Sequence, residues 1–150
     1  LSRGRWVLFV LLRGIPGAGK STYAATLEGA VVVSPDQIME LDPGGYRWTV
    51  PRWQEAVTQA DRELVGALSK RHPLVVSDRC NLTTQSFGAV VGFARAMGYR
   101  VEIHQLEVDE ETAAARNVHG VDADTIRRKW RRMDGTRLPD DIPMRVVSND

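Results

Sequence analysis

The segment Gly14-Ile15-Pro16-Gly17-Ala18-Gly19-Lys20-Ser21-Thr22 places glycines, a lysine and hydroxyls in the register G-x-x-x-x-G-K-S. That register is suited to holding phosphate. Gly14, Gly17 and Gly19 let the backbone curl until successive N–H groups converge on an anion. Lys20 can reach the β- and γ-phosphates of a nucleotide such as ATP, and the Ser21 hydroxyl can ligate Mg²⁺. Pro16, Ala18 and Thr22 complete the cofactor-binding stretch. A helix opening at Lys20 would add the positive end of its dipole to the same anion.

Such a loop needs a buried strand before it and a helix after it. Val7 to Leu12 is an unbroken apolar run, as a strand buried on both faces requires. Lys20–Glu28 is compatible with one short helix, and Gly29 can stop it. Further strands are expected at Ala30–Ser34, Pro73–Asp78 and Arg100–Val108, with a weaker fifth at Met144–Ser148. Further helices are expected at Trp53–Lys70, Thr84–Met97, Glu110–Asn117 and Asp124–Met133. Alternation of this kind predicts an α/β fold, a parallel sheet of about five strands with helices on both faces. Asp109 is placed to cap one helix, and either Asp122 or Asp124 to cap the last.

In open α/β sheets, ligands bind at the carboxyl ends of the strands. The second strand ends at Ser34-Pro35-Asp36, and the third at Ser77-Asp78-Arg79-Cys80-Asn81. Two acids therefore fall on the rim that carries the phosphate loop. One can hold Mg²⁺, as Asp78 would at the end of a Walker B type strand. The other, Asp36, can accept a proton. Ser34-Pro35-Asp36 also has the composition of a helix start, with Ser34 as its cap.

The chain of 150 residues is long enough for one domain with its own core, and residues 134–150 read as a connector and a weak strand or tail. A formal net charge of +1 gives no global pull toward nucleic acid or membrane. Arg127, Arg128, Lys129, Arg131 and Arg132 nevertheless cluster within six positions. Cys80 is the only cysteine, which excludes an internal disulfide and a cysteine-based zinc site and fits a reducing, cytoplasmic compartment. Trp6 to Leu12 is too short to span a bilayer and runs into the phosphate loop, so neither a membrane segment nor a secretory leader is expected.

Taken in order, these residues resemble the 5′-hydroxyl polynucleotide kinase family of P-loop kinases. The matching pieces are Gly14–Thr22, Ser34-Pro35-Asp36, Gly45-Tyr46-Arg47, Ser77-Asp78-Arg79-Cys80-Asn81-Leu82, Gly98-Tyr99-Arg100-Val101-Glu102 and Arg116-Asn117-Val118-His119-Gly120-Val121. The resemblance runs from about Val7 to Asp134 and implies a P-loop NTPase fold with a helical lid. It implies that Asp36 is the general base and that Arg116, with Asn117, belongs to a lid closing over the nucleotide phosphates. It matches Asp78 and Asn81 to an Asp-x-x-Asn motif, and it implies a nucleic-acid 5′ end as acceptor.

Two positions depart from the phage-type members. Met39 stands where they carry an arginine that holds the acceptor's phosphate. The lid is one residue shorter, with His119 nearest the place of a second lid arginine. Arg47 and Arg79 are the residues available to replace the acceptor arginine. Two other readings stay open: a kinase for a small hydroxyl compound such as a nucleoside, sugar or antibiotic, and a nucleotide-gated switch with no acceptor. Trp48 and Trp53 could stack on a nucleobase or could simply pack.

Overall fold

The computed structural model describes residues 6–116 and 120–148. Five strands form one parallel sheet: β1 (Leu8–Arg13), β2 (Val31–Val33), β3 (Leu74–Asp78), β4 (Arg100–Glu107) and β5 (Met144–Ser148), in the spatial order β2-β3-β1-β4-β5. The expected α/β class is borne out, including the weak fifth strand. β5 continues the sheet because Ile103 to Glu107 offer it a ladder and the connector is tied down by Ile142, which is buried.

The apolar run of β1 is explained by its place between β3 and β4. Phe9 and Leu11 face a core completed by α3 (Val50–Ser69) and α4 (Thr84–Ala96), through Leu64, Leu68, Phe87 and Val91. Val10 and Leu12 face the opposite side, beneath α1 (Lys20–Ala24), α5 (Glu110–Ala115) and α6 (Ala123–Gly135), which contribute Ala24, Ala113 and Ile126. A strand covered on both faces has no side on which to alternate polar residues.

Several boundaries differ from expectation, most at α1 and at α3, which begins at Val50 rather than Trp53 because Thr49 caps it by accepting the Arg52 N–H at 3.2 Å. The helix after the phosphate loop ends at Ala24, because Thr26 N–H and Leu27 N–H bond three residues back to Tyr23 and Ala24 and tighten the chain into turns. Gly29, at φ +76°, then redirects the chain toward β2. Between β2 and α3 lies a short helix, α2 (Pro35–Glu40), whose cap is Ser34: its Oγ accepts the Gln37 N–H at 3.2 Å. Asp36 therefore lies in the first turn of α2. Asp109 caps α5 and Asp122, not Asp124, caps α6, each accepting a backbone N–H three residues on, at 2.7 and 2.8 Å.

Candidate active site

The chain leaves β1 at the centre of the sheet, where the strand order reverses direction, and there the phosphate loop is built. Gly17 and Gly19 have φ of +85° and +91°, which L-residues with a Cβ rarely adopt. Gly17 meets a second constraint. A Cβ there would lie 2.1 Å from the carbonyl oxygen of Ala113, so the loop packs directly on the backbone of α5. Pro16 is half-buried, Ala18 is fully buried, and Thr22 is exposed on α1. The Lys20 ammonium donates to the carbonyls of Gly14 and Ile15, both at 3.1 Å, and so lies along the loop's own rim. Gly14 N–H is held by the Cys80 carbonyl at 3.1 Å, which ties the loop's first residue to the exit of β3.

Asp78, at the end of β3, accepts a hydrogen bond from Ser21 Oγ at 2.9 Å. Burial pushes the Asp78 carboxyl up from its ordinary range. Lys20 and the Ser21 hydroxyl pull it back, while Asp36 and Glu40 add to the rise. The same influences show that Asp36, Glu40, Asp78 and Lys20 share one electrostatic neighbourhood. Ser21 and Asp78 offer hard oxygen donors side by side, and no group of three or more His, Cys, Asp or Glu that could hold a metal ion occurs among the described residues. That donor set fits Mg²⁺, which takes one or two protein oxygens and fills the rest of its shell with phosphate and water.

Asp36 has a partner that sequence reasoning missed. The Tyr46 hydroxyl donates to Asp36 Oδ1 at 2.8 Å. Burial and the adjacent Asp36 carboxylate push the Tyr46 phenol far up, so it stays protonated and donating at neutral pH. The loop that delivers Tyr46 is held at its base by Asp42, whose two oxygens accept Arg52 Nε at 2.7 Å and Nη2 at 2.8 Å. Gly44 and Gly45, both at positive φ, make the turn between. A Gly-Gly-Tyr sequence marks a turn, but the reach of the phenol to Asp36 depends on how α2 and the loop pack.

The remaining expected site residues separate into groups. Arg47 and Trp48 follow Tyr46 and are exposed. Arg79 donates to Asp61 of α3 at 2.9 Å, and its buried Nε has no hydrogen-bond partner. Asn81 turns inward instead of toward a substrate. It is buried at φ +49°, and its amide donates to the Leu12 carbonyl at 2.6 Å and the Arg79 carbonyl at 3.1 Å. Its observed contacts fasten the exits of β1 and β3 to each other. Met39 is fully buried, so no side chain there reaches solvent. Arg116 is the exposed C-terminal cap residue of α5. Asn117 and His119 lie outside the described residues. Trp53 is half-buried on α3.

Arg13 was also missed. It is the last residue of β1 and is buried, with its guanidinium bonded to oxygens of Asn81, Leu82, Gln105 and Met133. A charged residue closing an apolar strand was the available signal.

No helix among the described residues is long and apolar enough to cross a membrane. Comparison with known proteins agrees with the architecture. The chain is 28% identical to human NEDD4-binding protein 2 over 130 residues, 81% of this chain but 7% of that protein. It therefore spans a small part of that relative's length. Among solved structures, a chain of the Pnkp1/Rnl/Hen1 RNA repair complex superposes with a TM-score of 0.69 at 18% identity, covering 87% of this chain and 45% of that one. A gluconokinase from Sinorhizobium meliloti superposes with a TM-score of 0.61 at 18% identity, covering 96% and 83%. Residues 9–139 match the AAA_33 family, described as an AAA domain, so the chain belongs to this family of P-loop kinase-type domains.

Proposed function

We propose that the protein transfers the γ-phosphoryl group of ATP to a hydroxyl, with the 5′-hydroxyl of DNA or RNA as the acceptor. The observation that carries this reading is one shared rim. It holds a complete phosphate loop, the Ser21–Asp78 oxygen pair, and a separate acid, Asp36, oriented by Tyr46. A nucleotide-binding switch needs the first two and has no use for a third group held beside them.

In this reading Lys20 and the loop N–H groups would hold the β- and γ-phosphates, and Ser21, with Asp78 behind it, would hold the metal. Mg²⁺ would supply charge neutralisation across the β- and γ-phosphates. Asp36 accepts the acceptor's proton as the acceptor oxygen bonds to phosphorus and the bond to the ADP oxygen breaks. Arg116, with Asn117, stabilises charge on the phosphoryl group from the lid. Arg47 and Arg79 are the cations available for an acceptor phosphate. Asn81 supports the rim from within. Lys20→Ala or Asp36→Ala should each lower the rate on the order of 10²-fold.

A small hydroxyl compound is the second reading, and burial of Met39 favours it, since that position presents no cation to a polyanionic acceptor. Labelled ATP with Mg²⁺ and 5′-hydroxyl DNA and RNA oligonucleotides separates the two, with 5′-phosphorylated strands as blocked controls. Label on 5′-hydroxyl strands alone supports the polynucleotide reading. Nucleotide binding without label on any strand overturns it and leaves the small acceptor.

A further inference from the structure

Arg13 is an expensive residue to bury. Its guanidinium is surrounded by four oxygens, all neutral: the carbonyls of Asn81 at 3.2 Å, Leu82 at 2.7 Å and Met133 at 2.9 Å, and Oε1 of Gln105. Among the described residues no carboxylate pairs with it. Burial accordingly drags its proton affinity down. Removing a cation from water without a counter-ion costs several kcal/mol, and an apolar side chain of similar length would avoid that cost. What the guanidinium supplies instead is geometry. Its donors form a rigid planar fork that can reach oxygens on different elements at once.

Those elements are informative. Asn81 and Leu82 form the exit of β3, Gln105 lies on β4 opposite Arg13 in the ladder, and Met133 lies in the last turn of α6. Helix α6 has few other attachments: the Arg127–Glu110 ion pair at 3.3 Å joins it to α5, and the half-buried Met133 side chain packs against the core. Ile126, near its start, is its one buried side chain. The far end of the helix presents carbonyls that need donors, and a cation there also answers the negative end of the dipole. Arg13 is a second donor to the Met133 carbonyl, which also accepts the Thr136 N–H at 3.3 Å, and it places a cation at that end of the helix. It is bonded covalently to Gly14, whose carbonyl accepts Lys20.

We propose that Arg13 is the positioning residue of the lid, fastening the last turn of α6 to the strand ends immediately before the phosphate loop. It touches no reacting atom. It sets where α6 stands and, through the Arg127–Glu110 ion pair, where α5 lies against the loop at Gly17, with Arg116 as the C-terminal cap residue of that helix. Only the kinetic arm of its test rests on the phosphotransfer reading above.

Two variants test it. Arg13→Lys keeps the charge but cannot span the four oxygens. Gln105→Leu leaves Arg13 in place and removes one of them, which guards against a fold lost at Arg13 itself. Hydrogen exchange followed by mass spectrometry should show the C-terminal half of α6 exchanging about tenfold faster or more in both variants. Peptides from α4 and β1 should stay within about threefold of the wild type. Unchanged exchange in α6, or equal acceleration in every element, would overturn the proposal, the latter because it marks a general loss of stability.

In the kinetic arm, Arg13→Lys should lower kcat about tenfold with the KM for ATP nearly unchanged. Its effect should shrink when Arg116 is already alanine. Full multiplicative effects of Arg13→Lys and Arg116→Ala would sink the idea that Arg13 acts through the lid. A wild-type protein that phosphorylates no hydroxyl would remove the phosphotransfer reading, while exchange in α6 would still decide the role of Arg13.

Discussion

Gly17→Ala should be the most revealing small substitution in the phosphate loop, and Gly29→Ala is its internal control. Both glycines have positive φ, +85° and +76°. At Gly29 a Cβ would meet nothing within 4 Å, so alanine there incurs backbone strain alone. Left-handed backbone costs a residue with a Cβ about 1–2 kcal/mol, partly offset by the smaller unfolded-state entropy of alanine. At Gly17 the same Cβ would lie 2.1 Å from the Ala113 carbonyl oxygen and 2.9 Å from its carbon, both backbone atoms that no rotamer change can move aside. Overpacking of that kind adds about 1–3 kcal/mol.

For a domain of this size, 1 kcal/mol corresponds to about 3 °C in Tm. Gly29→Ala should therefore fall about 3 °C, and Gly17→Ala about 6–12 °C. The assay is thermal unfolding of the three proteins in one buffer, with hydrogen exchange read separately for α5. If α5 yields to the new methyl group, part of the cost appears as faster exchange in Glu110–Ala115 and a smaller fall in Tm. Equal Tm for the two variants, with exchange in α5 unchanged, would refute the packing of the loop on α5.

Three other outcomes follow from the same geometry. Tyr46→Phe deletes the 2.8 Å donor to Asp36 while keeping the ring, and should lower kcat about 10- to 100-fold in oligonucleotide phosphorylation with a small change in KM for ATP. Asp78→Asn should abolish most phosphoryl transfer yet raise Tm. The Asp78 carboxyl is raised in the folded state, so its ionised form at neutral pH opposes folding, and a neutral isostere removes that opposition. Asp109 and Asp122 are held below the ordinary carboxylate range, chiefly by the N–H groups of Thr112 and Thr125. Their contribution to α5 and α6 is present above the ordinary range and lost as pH falls through it, so exchange in these two helices should rise below about pH 4 before that of α3.

The parts of the site that were legible in the sequence are those fixed by local rules. A phosphate loop requires glycine where φ is positive, so Gly17 and Gly19 announce themselves. A strand covered on both faces requires an apolar run, so β1 is visible, and Asp78 is placed by the end of another such run. Ser34-Pro35 marked the start of α2 by capping chemistry, although a helix of six residues is too short for periodicity to reveal. The end of α1 was misjudged because Ala25 to Glu28 are all compatible with helix, and only the three-residue hydrogen bonds show that the chain has already turned.

The residues that escaped notice are polar side chains whose task depends on distant neighbours. Asn81 was expected to be a ligand because it matches the Asp-x-x-Asn motif of the family the sequence resembles, and only the packing of β1 against β3 turns its amide toward Leu12. Tyr46, in the loop after α2, reaches back ten positions to Asp36 in the first turn of that helix, and Arg13 reaches Met133 across 120. No local propensity encodes either reach. Both join the phosphate-loop rim to a segment otherwise held by few buried side chains: the loop that carries Arg47 and Trp48, and the helix α6. A rigid sheet can fix Lys20, Ser21 and Asp78 by backbone geometry alone. The Tyr46 loop and helix α6 are peripheral and are held by long polar side chains, so under the proposed function Tyr46 and Arg13 are the places where single substitutions should uncouple catalysis from stability.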